Sequence, residues 1–161
     1  MLQRPTLETP AIDPTVTTID LLRAKADGLF RIAVECIRQQ DRCAHLGALS
    51  CGQTEKRLAQ NAARQSIEAL SAMIESYGTA SSTIKVEGAD EVWWRKANAI
   101  WMASREFARR HSGTDVASKN LEAPDAGRFG ELAVDFELEA SALLALRQSA
   151  ESYAHVRPGA V

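Results

Sequence analysis

The chain has 161 residues, with 19 Lys and Arg against 21 Asp and Glu, a formal net charge of −2. That length suits one domain with a real core, and 45% hydrophobic with 25% charged residues is a globular rather than a disordered composition. The near-neutral balance excludes the strong basic excess of a typical nucleic-acid binder, and no apolar run is long enough to cross a membrane.

Met1 to Pro14 carries Arg4, Glu8 and Asp13 and lacks the continuous apolar stretch of a secretory signal. The three cysteines, Cys36, Cys43 and Cys51, are an odd number and cannot all pair within the chain. Both observations predict a cytoplasmic protein with reduced thiols.

Residues 1–13 hold Pro5 and Pro10 without periodicity and read as an extended or disordered arm. Residues 14–157 are expected to form the helical domain, with 158–161 as a tail. Alanine occurs 27 times and Gly and Pro are few, so the chain favours long helices. Asp13 and Pro14 supply an N-cap and a first-turn proline. From there Ile19, Leu22, Ala26, Leu29, Ala33, Cys36, Gln40, Cys43 and Gly47 recur in steps of three and four, which predicts a long first helix to about Leu46, with a bend plausible near Gly28.

The second helix starts from a cap at Thr54 and buries Ala59, Ala63, Ser66, Ile67, Leu70, Met73, Ile74 and Tyr77, with Gly78 as its stop. Residues 79–88 form a Ser/Thr-rich loop with a brief alternation at Ile84 and Val86. The third helix, about Ala89 to Arg110, carries Trp93, Ala97, Ile100, Ser104 and Phe107 on one seam and ends at Gly113. A long connection over 112–127 leads to the fourth helix, about Arg128 to His155, with Phe129, Leu132, Phe136, Ala140, Leu143, Ala150 and Tyr153 turned inward.

Four amphipathic helices on mostly short links make an all-α fold, an antiparallel four-helix bundle. In that topology Arg105, Arg109 and Arg110 would lie beside Glu131, Asp135 and Glu139, three acids that share one helix face.

No chemical motif accompanies this scaffold. Cys36 and Cys43 are two helical turns apart, about 10 Å along the axis, too far to share a tetrahedral ion, so no metal is expected there. Glu35, Glu68, Glu106 and Glu139 place one carboxylate on each helix, but no Glu-x-x-His pair exists to complete a di-metal site. His45 and His111 lack the following Lys and Gly of a histidine phosphotransfer site, which leaves that class a low alternative. Phosphate-binding and nucleophile-elbow motifs are absent too. Neither an enzyme nor a cofactor is expected, and Cys51, beside Gly52 in a turn, is the one candidate reactive thiol.

Trp93, Trp94 and Trp101 are the most informative residues. Adjacent Trp93 and Trp94 differ by about 100° around a helix, so a narrow seam cannot take both. Trp94, Trp101 and Arg105 form a row off the main seam and are the candidate partner-binding residues, since Trp and Arg are over-represented at interface hot spots. The expected function is therefore non-catalytic: protein interaction or homo-oligomerisation, as a homodimer or with a separate partner. A bundle holding a small ligand or metal is the alternative.

Overall fold

The structure, a computed structural model, describes residues 14–49, 52–85, 88, 91–119 and 126–157. The expected N-terminal arm, the 158–161 tail and Cys51 lie outside these residues. The helices are α1 (Pro14–Ala48), α2 (Gln53–Ser81), α3 (Glu91–Lys119) and α4 (Ala126–Ala154), packed as an all-α four-helix bundle.

Cross-helix contacts fix the direction of each pair. Lys25 reaches Ser76 and Cys36 reaches Ser66, so α1 and α2 are antiparallel. Tyr77 meets Asn98 while Ile74 meets Trp101, which runs α3 against α2. His111 meets Glu139, and Phe30 and Asp41 meet Tyr153 and Arg147, so α4 runs against both α3 and α1. Packing is most extensive within the α1–α2 and α3–α4 hairpins and thinner between them.

The α1 seam is buried as expected through Leu22, Ala26, Leu29, Ala33 and Cys36, widened by Phe30 and Ile37. It opens after Cys36, where Gln40 and Cys43 are half-buried and Gly47 is exposed. No break interrupts α1 at Gly28. A methyl group there would meet only the terminal Cε of Met73, at 2.7 Å, the free end of a flexible side chain. Alanine is preferred over glycine inside helices by about 0.5–1 kcal/mol, so Gly28→Ala is expected to hold or raise the urea midpoint. A clear fall would mean that Met73 cannot move aside.

Two expected helix stops are not stops. Gly78 lies inside α2, which continues to Ser81 and closes where Ser82 N–H donates to Gly78 O at 3.1 Å. Its lack of a side chain serves packing: a Cβ would stand 3.0 Å from the Trp101 ring. Gly113 likewise lies inside α3, which continues to Lys119, nine residues beyond the expected end at Arg110. The inward face continues through half-buried His111 and buried Thr114, and burial on that face outweighs the about 1 kcal/mol penalty of an interior glycine. At the start of α2, Gly52 occupies the cap position in an extended conformation without a side-chain cap, and Thr54 sits within the first turn.

In α4 the inward residues are Ala142, Leu146, Ala150 and Tyr153, with Leu132 and Leu143 half-buried. Phe136 and Ala140, expected inside, are exposed, Phe136 by 51%. Apolar residues surround this helix, so its sequence permits more than one rotation; the His111–Glu139 contact and the Phe30–Tyr153 ring pair at 5.3 Å belong to the one adopted. Phe129 is outside the residues whose side chains are described.

The expected arginine pairing across α3 and α4 does not form. Arg109 and Arg110 both bond Glu106 on their own helix, at 2.9 and 2.8 Å, and these bonds hold the Glu106 carboxyl below its ordinary range. His111 takes Glu139 instead, its Nδ1 2.7 Å from Oε1. Residues three and four apart on one helix are neighbours by construction, so the local pairs form without ordering a second helix.

Candidate functional surfaces

The three residues singled out as a partner site have different environments. Trp101 is half-buried and leans across to α2: its indole N–H donates to Ile74 O at 2.9 Å, and its ring lies 6.2 Å from that of Tyr77. Trp94 is half-buried against the core, and its Nε1 is buried without a hydrogen-bond partner. Arg105 is exposed, with its guanidinium 4.6 Å from the Trp101 ring centroid. The row thus presents Arg105 outward and uses Trp101 to join α2 and α3.

Beside Arg105 lies a groove of about 660 Å³ between α2 and α3. Ser71, Ile74, Met102, Arg105, Glu106, Ala108 and Arg109 line it, and Glu106 there is paired with Arg109. Met102 is 64% exposed, unusually high for a long apolar side chain beside a concave surface. The groove follows from the thin α2–α3 packing.

The larger exposed apolar surface is the outer face of α4. Val134, Phe136, Leu138 and Leu144 are 53, 51, 37 and 54% exposed, and the exposed Ala133, Ala140 and Ala145 stand among them. Sequence reading missed this face because it assigned Phe136 and Ala140 to the core. The available signal was that apolar residues recur on every side of α4 between its acids, with no single apolar stripe to set its rotation.

A third feature is a polar cleft of about 430 Å³ where the C-terminal ends of α1 and α3 meet the start of α2. Gln40, Cys43, Asn61, Arg64, His111 and Asp115 line it. Burial pushes the Cys43 thiol above its ordinary value, against the opposing charge of Arg42, so the neutral thiol prevails near pH 7. His45, the candidate phosphotransfer residue, is exposed in the last turn of α1. Among the described residues, no group of three His, Cys, Asp or Glu side chains stands close enough to hold a metal ion, and no helix is long and apolar enough to cross a membrane.

No family model, curated protein or solved structure matches the chain.

Proposed function

We propose that this chain is a non-catalytic interaction bundle that self-associates through the outer face of α4. The observation that carries this reading is the exposure of Val134, Phe136, Leu138 and Leu144 on a helix whose inner face is already fully used by the core. Large exposed apolar side chains grouped on one side of a helix mark contact sites, and Val134, Leu138 and Leu144 fall within about 120° around α4, with Phe136 on its flank. Cys36 and Cys43 are free thiols, which supports a reducing, cytoplasmic setting.

Native mass spectrometry of the protein as purified tests the reading. An assembly of more than one copy is expected for the parent, and Leu144→Glu is expected to return it to a monomer with unchanged far-UV circular dichroism. A bare monomer at micromolar concentration, or an assembly indifferent to Leu144→Glu, would overturn it.

The polar cleft favours a second reading, a bundle that binds a small polar molecule between α1, α2 and α3. Retained extra mass on a monomer, lost on Arg64→Ala, is the result that would select it.

A further inference from the structure

We infer that the copies associate head to tail, with the outer face of α4 from one copy seated in the α2–α3 groove of the next. This rests on the self-association reading above and names the second surface. The first argument is charge. Helix α3 holds six Lys and Arg against three Asp and Glu, whereas α4 holds two Arg against five acids, so the two helices carry opposite net charges of +3 and −3.

Within one chain these charges do not cancel. Among the described residues Arg105, Arg109 and Arg110 pair with no acid of α4: Glu139 takes His111, and no cation pairs with Glu131, Asp135 or Glu137. Arg105 likewise meets no carboxylate among the described residues; it lies over the Trp101 ring at the groove. In the groove Glu106 is taken by Arg109 and Arg110, which leaves Arg105 as the cation open to the acids of the outer α4 face of another copy.

The second argument excludes the simplest alternative. Two α4 faces pairing around a two-fold axis would be isologous, so an acid-rich surface would meet itself. The exposed Glu131, Glu137 and Glu151 on each partner would then face like charges at short range. Seating the face in the groove instead brings Glu131 and Glu137 towards Arg105 and covers Met102 together with Val134 and Leu144. A contact between two different patches is heterologous and propagates, closing into a ring or extending as an open chain.

Mixing two interface variants of the full chain tests the mode. Arg105→Glu with Arg109→Glu blocks the groove and leaves α4 intact. Val134→Glu with Leu144→Glu blocks α4 and leaves the groove intact. Each alone is expected to be monomeric, its self-association weakened about 100-fold or more. Mixed in equal amounts they retain one good interface, and a 1:1 pair of twice 17.5 kDa is expected, with nothing larger. If the groove variant still assembles while the α4 variant does not, head-to-tail seating is overturned and the α4 reading stands. If both variants still assemble, or the parent is a monomer, both fall.

Discussion

Trp101→Ala is expected to cost about 3 kcal/mol of stability, seen as a fall in Tm of about 10 °C by circular dichroism. The ring bridges the thin α2–α3 junction, resting over Gly78 where a Cβ would stand 3.0 Å away. Deleting it removes the contact with Tyr77, the bond to Ile74 O and the surface on which Arg105 lies. The estimate sits at the low end of the range for large aromatic truncations, because Trp101 is half-buried and water can enter part of the space it leaves.

The two tryptophans of the row separate under a milder change. Trp101→Phe keeps an aromatic ring under Arg105 but deletes the N–H that serves Ile74 O, with an expected loss of about 1 kcal/mol. Trp94→Phe removes a buried N–H that has no partner, so stability is expected to hold or rise. Equal losses in both variants would mean that the indole N–H of Trp101 contributes nothing and ring volume alone matters. Association should track the α4 and groove variants rather than Trp94→Phe.

The helices of this bundle were legible because each of the first three carries one buried face with a consistent step. Leu22 to Cys36, Ala59 to Tyr77 and Trp93 to Phe107 all point inward as their spacing requires. Glycines misled the boundaries, since Gly78 and Gly113 look like stops in sequence but lie within helices. What keeps Gly78 helical is a ring 23 residues away in sequence, and no local pattern carries that information. Helix α4 was the hardest to orient. Its rotation depends on where Glu139 and Tyr153 find partners on α3 and α1, so an apolar count alone misplaced Phe136. Trp94, Trp101 and Arg105 were legible as one helix row, but not that Trp94 and Trp101 are half-buried while Arg105 is exposed, because that depends on contacts with other helices such as the bond from Trp101 to Ile74 O.

Stability is also expected to fall steeply above pH 9, read as the urea midpoint between pH 8 and pH 10 under reducing conditions. Cys36 is fully buried in α1, and burial pushes its thiol from an ordinary 9.0 up to about 11, with Glu35 adding to the shift. The hydrogen bond with Ser66 opposes that rise and outweighs the smaller contribution of Glu35, but burial prevails. The direction follows from linkage. Above pH 9 the unfolded chain releases the thiol proton while the folded chain keeps it, so the contribution is complete below pH 9 and lost as pH climbs through about 11. At about 1.4 kcal/mol per unit, the thiol alone accounts for a loss of about 3 kcal/mol once pH has passed 11, about half of it by pH 10. Burial raises Tyr77 and Tyr153 as well, which extends the decline beyond pH 10. Cys36→Ala lowers stability at every pH by emptying part of the core, yet it should make the segment between pH 9 and pH 10 shallower and leave there only the contribution of Cys43, followed by the later tyrosine-driven fall. An unchanged slope in that variant would assign the alkaline loss to the tyrosines, and a midpoint constant from pH 8 to pH 10 in the parent would show that the thiol ionises without unfolding cost.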